Sequence, residues 1–158
     1  MDKINAWKAA VSAAIGCMTA LWGWMGWLIL GWIALMALDY ITGSVAAAKN
    51  GTWASKVARE GAWHKVGMVI VVAVAIGTDL LIATVLEHLP IVQLPFEYTG
   101  LICPLIVVWY CVTELGSIGE NAVIMGAPVP GWLLKILDAG KRAVDEAGEK
   151  LAGESGKE

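Results

Sequence analysis

The residues of this sequence that could do chemistry are few and widely spaced. Asp79 stands inside an apolar run from Val66 to Leu86, ~10 Å from its far end on a helix. Glu114 and Glu120 lie in and just after a later apolar stretch. A carboxylate placed this way faces water or a partner, or caps a helix, because hydrocarbon does not tolerate it alone. Asp79 is accordingly read as protonated or pore-facing, with helix capping as the alternative. Glu114 and Glu120 are candidates for the same polar lining, with pairing to nearby basic residues as the plainer reading. Cys17, Cys103 and Cys111 all fall in apolar segments without a CxxC or metal-ligand spacing. Cys103 and Cys111 stand ~12 Å apart on one helix face, too far to bridge. His64 and His88 are separated by ~36 Å along a continuous helix and cannot share a metal within one subunit. With no phosphate loop and no nucleophile beside a base, neither catalysis, a metal nor a cofactor is expected.

The elements that must position these groups follow from composition. The chain is 58% hydrophobic and 16% charged, with a mean hydropathy of +0.69, which is not the make-up of a soluble domain. A net charge of -3 gives no reason to expect nucleic acid. The apolar residues form two blocks, Ala9 to Leu38 and Val66 to about Gly119, each exceeding the ~18 residues that mark a transmembrane helix. Insertion scales charge ~2.5 to 3.5 kcal/mol for a central aspartate against ~0.3 to 0.6 gained per large aliphatic, so the Asp79 helix still inserts. The expected fold is an all-α integral membrane protein with three to four short transmembrane helices and a C-terminal amphipathic helix.

The first block is too long for one upright span and short for two. Trp22, Trp24 and Trp27 cluster with Gly23 and Gly26 in its middle, and tryptophan favours the membrane interface. This suggests two short helices, about 8–22 and 26–42, joined by a Gly-Trp turn, with a single tilted segment as the alternative. Ser12, Gly16 and Ala20 recur at steps of four, a spacing that lets helix backbones approach closely within the chain or between copies. The whole reads as a short cytoplasmic N-terminus at 1–8, a helical hairpin or single long segment at 9–42, and a basic cytoplasmic loop at 43–65. Two transmembrane helices follow in 66–119, with an acidic external loop at 87–98, and a cytoplasmic tail occupies 120–158. The orientation rests on Lys49, Lys56, Arg59 and Lys65 in the first loop against Glu87 and Glu97 in the second. Pro104 is expected to kink the last span near its outer end. In the tail, Leu133, Leu137, Gly140, Val144, Ala147 and Leu151 repeat at steps of four and three, which predicts an amphipathic helix for the membrane surface or for self-association.

The string Asp39-Tyr40-Ile41-Thr42-Gly43 is followed by Ser55-Lys56, Gly61 and His64-Lys65, then a helix carrying Asp79. Ser117-Ile118-Gly119-Glu120-Asn121 and Gly126-Ala127-Pro128-Val129-Pro130 come later, in order. Together these resemble the phage lysis and toxin-secretion holin family over about residues 28–137. The resemblance makes Asp39, Tyr40, Thr42, Gly43, Glu120, Asn121, Pro128 and Pro130 motif positions. It implies a protein that assembles with copies of itself in the bacterial cytoplasmic membrane and opens lesions for an endolysin or an exported toxin, with an antiholin as a further partner. A small channel or transporter subunit, a membrane adaptor, or an antiholin regulator are the other readings. The tryptophan-rich turn and the charged tail are not part of the resemblance.

Overall fold

A computed structural model of the chain describes residues 7–9, 11–13, 15–16, 23–52, 55–89 and 98–154. Four long helices account for most of these: α1 (Trp24–Lys49), α2 (Ser55–His88), α3 (Ile102–Met125) and α4 (Gly131–Glu154). Residues 7–9, 11–13 and 15–16 are also helical, while Ala20 and Trp22 lie outside the described residues. Among the described residues three helices are long and apolar enough to cross a membrane: Trp24–Lys49, Arg59–His88 and Ile102–Met125. The protein is an all-α multi-pass membrane protein.

α1 starts directly after Gly23, whose φ of +52° and ψ of -130° suit a residue without a Cβ, so the helix begins inside the Trp-Gly cluster. It does not stop near residue 42 but continues to Lys49, because Val45 to Ala48 are followed by no breaker until Asn50-Gly51. Thr42 and Ser44 do not interrupt it, since their hydroxyls bond back to the carbonyls of Asp39 and Tyr40. α2 then begins at Ser55, so the expected basic loop at 43–65 contracts to a turn around Gly51, and most of its basic residues ride on helix ends.

Pro104 does not kink α3. It occupies the first turn, where no backbone N–H is required for the helical ladder, and the helix starts around it. At the other end α3 runs to Met125 and closes on Gly126 in the left-handed conformation (φ +91°), with the Lys49 ammonium bonded to the Met125 carbonyl. A cation at that carbonyl end also complements the helix dipole.

Contacts fix the packing. Ile29 and Cys103 share the core, Trp32 stacks on Tyr110 at 5.7 Å, and Lys49 meets Met125, so α1 and α3 run parallel. Lys65 meets Glu114 while Asp79 meets Cys103, so α2 runs antiparallel to both. The core they enclose is narrow: Ile29, Trp32, Met36, Met68, Val72, Ala75, Cys103 and Val107. Ile33, Ile70, Val74, Leu80 and Leu81 remain exposed, and only 11% of the most apolar window of α2 is buried inside the chain. In water such a surface would aggregate; in a bilayer it is the face that meets lipid or another copy.

α4 folds back along α3. Leu134 touches Gly119, Gly140 lies against Val112, and Gly148 lies against Leu105, which sets α4 antiparallel. Its inward stripe is Leu134, Leu137, Gly140, Val144 and Ala147, whereas Leu133 and Leu151 point outward. Gly140 and Ala147 in this stripe, with Gly148 beside them, set how closely the two helices approach.

Candidate functional site

Two polar clusters hold the three spans together, one toward each end. The first is centred on Lys65. Its ammonium donates to Asp39 Oδ2 at 3.0 Å and to Glu114 Oε1 and Oε2 at 2.8 and 2.7 Å. The Asn121 amide donates to Asp39 Oδ1 at 3.0 Å and to Thr42 Oγ1 at 3.2 Å, and the Thr42 hydroxyl donates to the Asp39 carbonyl. All three lysine donors and both amide donors are therefore used. Glu114 is 3% exposed, and one lysine serves two carboxylates, so the cluster ties α1, α2 and α3 at one level. Gly43 lies against it: a Cβ there would meet Asn121 Nδ2 at 3.4 Å, an ordinary van der Waals contact.

The second cluster is built on Asp79. Its Oδ1 accepts from the amides of Leu101 and Ile102 at 3.2 and 3.0 Å and from the Tyr98 hydroxyl, while Oδ2 accepts from the amide of Cys103 at 2.8 Å. The next residue, Pro104, has no N–H to satisfy, so one carboxylate on α2 meets the donors at the start of α3. A negative group at that position also opposes the positive end of the helix dipole. Capping, the alternative reading of Asp79 in the sequence, is thus what its contacts describe. The Tyr98 phenol is pushed up to about 12, first by burial and then by its bond to the Asp79 carboxylate and that carboxylate's charge. Its raised value keeps it a donor: the bond is present below the ordinary phenol range and is lost only as pH climbs toward 12. A cavity of about 340 Å³ adjoins the cluster, bordered by Met25, Ile29, Leu80 and Gly100.

The remaining sequence candidates scatter. Glu120 is exposed and makes no ion pair among the described residues. Tyr40 is exposed at the α1–α2 groove beside Lys65, and Pro128 and Pro130 form the exposed link between α3 and α4. Ser12 and Gly16 are exposed, and nothing lies within 4 Å of a Cβ added at Gly16, so they form no seam within the described chain. Ala20 falls outside the described residues.

Sequence reasoning missed the centre of the first cluster. Lys65 reads as one more loop charge, and Asp39 and Asn121 as motif letters. The signal was present: Asp39 and Lys65 lie equally far from Thr52, the middle of the turn, so a hairpin there sets them face to face.

No solved structure matches the chain. It is 38% identical over 133 residues to an uncharacterized protein of Halalkalibacterium halodurans, covering 84% of this chain and 90% of the relative. The model of the bacteriophage holin family matches residues 16–142, which takes in all three spans, both polar clusters and half of α4. By that match the chain belongs to the bacteriophage holin family.

Proposed function

We propose that this protein is a holin, which accumulates in the bacterial cytoplasmic membrane, associates with copies of itself and opens lesions through which an endolysin or an exported toxin leaves the cell. The family match over all three spans carries the reading. Two structural features support it. The outward surface of the bundle is apolar and extensive, as lateral association in lipid requires. The two polar clusters are also close together, Lys65 and Asp79 being ~21 Å apart along α2 against a hydrocarbon core of ~30 Å. A bundle with its polar groups this near favours local thinning and association. The basic residues near the α1–α2 turn support a cytoplasmic position for that end. Within this reading Asp79 and the Asp39–Lys65–Glu114 cluster build the subunit, and no group on the chain performs catalysis.

Expression in a bacterial host, together with a cytoplasmic cell-wall hydrolase that has no signal peptide, tests the proposal. Culture density should hold and then fall abruptly, only when the hydrolase is present. Continued growth with the protein demonstrably in the membrane would refute it.

Two glycines separate contacts between copies from contacts within one. Gly16→Leu meets nothing inside the described chain, so it should leave thermal unfolding in detergent unchanged while delaying or abolishing lysis. Gly43→Leu adds three carbons beyond a Cβ already in contact with Asn121, crowds its bond to Asp39 and should cost ~1 to 3 kcal/mol of stability. Unaltered lysis timing in the Gly16 variant would remove the small-residue face from the assembly.

A further inference from the structure

A lesion that passes a folded enzyme needs a water-facing wall, and the carboxylates inside the three-span bundle are already engaged. Asp79 is taken up by the start of α3, and Glu114 and Asp39 by Lys65 and Asn121. Among the described residues, α4 carries a long charged face outside these clusters. We propose that α4, docked antiparallel on α3 with its charged face outward, is the water-facing wall of the open lesion, completed by α4 helices of neighbouring copies. This rests on the lesion-forming reading above.

The argument is one of depth. α4 lies beside α3 from the level of Gly119 to the level of Leu105, and that part of α3 belongs to a membrane-spanning segment. The contacts are those of a docked helix: the Trp109 indole donates to Asp145, and the Lys141 ammonium sits 4.6 Å from the centroid of the same ring. On the side away from α3, Arg142, Glu146 and Lys150 are exposed, and Asp138 and Glu149 are exposed at the edges of the α3–α4 groove. Their only ion pair among the described residues is Arg142 with Asp138. Hydrocarbon cannot accept this face, and among the described residues no further helix covers it. Water at the same depth can. In a lone subunit in an intact bilayer the pose is therefore unfavourable, and it becomes favourable once several copies place their α4 faces around shared water. Docking of α4 and opening of the lesion are thus one event. The link at 127–130, carrying Pro128 and Pro130 after the left-handed Gly126, is where α4 would swing from the membrane surface onto α3.

The test locks the docked pose. In full-length chain with Cys17, Cys103 and Cys111 changed to alanine, Val112→Cys and Gly140→Cys join the two helices; a Cβ at 140 lies 3.7 Å from Val112 Cγ1, close to where the sulfur would sit. Leu105→Cys with Gly148→Cys, at the next contact of the same two helices, is a second pair whose oxidation is verified by thiol titration. Each is reconstituted in phosphatidylethanolamine–phosphatidylglycerol vesicles holding fluorescent dextran. Oxidised chain should release dextran at least as fast as reduced chain, and an environment-sensitive fluorophore at Glu146→Cys of the locked chain should be quenched by aqueous iodide. Release that stops on oxidation and returns on reduction, or a label shielded from iodide, overturns the proposal. The unmodified chain separates the two readings: if it too releases nothing, the holin reading itself fails.

Discussion

Lys65→Met is expected to be the most damaging single substitution in the bundle, lowering stability in detergent by ~3 to 5 kcal/mol. The reason is an asymmetry. Removing the lysine leaves Glu114, which is 3% exposed, without its cation, and takes one of the two donors from Asp39. A buried carboxylate left alone bears its full desolvation cost, whereas a pair removed together takes the cost away with it. The double variant Lys65→Met with Glu114→Met should therefore be more stable than the single one, since Asp39 retains Asn121 and the α1–α2–α3 junction becomes apolar. A double-mutant cycle by thermal unfolding should show coupling of at least ~2 kcal/mol between the two positions. Simple additivity would mean that the ion pair is not what joins the helices. Because the cluster draws on all three spans, Lys65→Met should also reduce the amount of protein that accumulates in the membrane and so delay lysis.

The sequence made the membrane class and the spans legible because lipid enforces them: a run such as Val66 to Leu86 has no other stable use. Helix ends were less legible. Residues 43 to 49 look like loop by polarity, yet local hydroxyl-to-carbonyl bonds and alanines carry the helix on to Lys49. Pro104 looks like a kink in the sequence because its effect depends on its distance from the helix start, which an apolar run does not mark. The amphipathic period of α4 was plain, but its partner was not, since docking on α3 depends on Gly140 and Gly148 meeting Val112 and Leu105 across a turn. The polar clusters were the hardest to foresee. Asp39, Lys65, Glu114 and Asn121 come from three helices, and only the hairpin geometry brings them within 3 Å or so of one another. Asp79 shows the opposite failing: its presence was obvious, but its role turned on the backbone amides of residues 101 to 103, which no side-chain pattern reveals.

Asp79→Leu should cost ~3 kcal/mol or more, and Asp79→Asn clearly less, ~1 to 2 kcal/mol. The leucine variant leaves the amides of Leu101, Ile102 and Cys103 and the Tyr98 hydroxyl without their acceptor. Each unmet donor costs ~1 to 3 kcal/mol when buried, and water reaching the end of the helix recovers part of that. Asparagine keeps one acceptor oxygen in place, so some of the amide bonds survive, although the charge that opposes the helix dipole is gone. Amide hydrogen exchange separates this account from a pore-facing aspartate. If Asp79 is the cap, exchange in the leucine variant should accelerate at residues 101 to 105 well before it changes in the middle of α3, and Tyr98→Phe should reproduce only a small part of the effect. If Asp79 instead faces a water path, Asp79→Leu should alter permeation through the assembled lesion while leaving exchange at the start of α3 and thermal unfolding as they were. The geometry favours the first outcome, because a carboxylate that accepts four hydrogen bonds cannot be turned toward a pore without leaving the start of α3 uncapped.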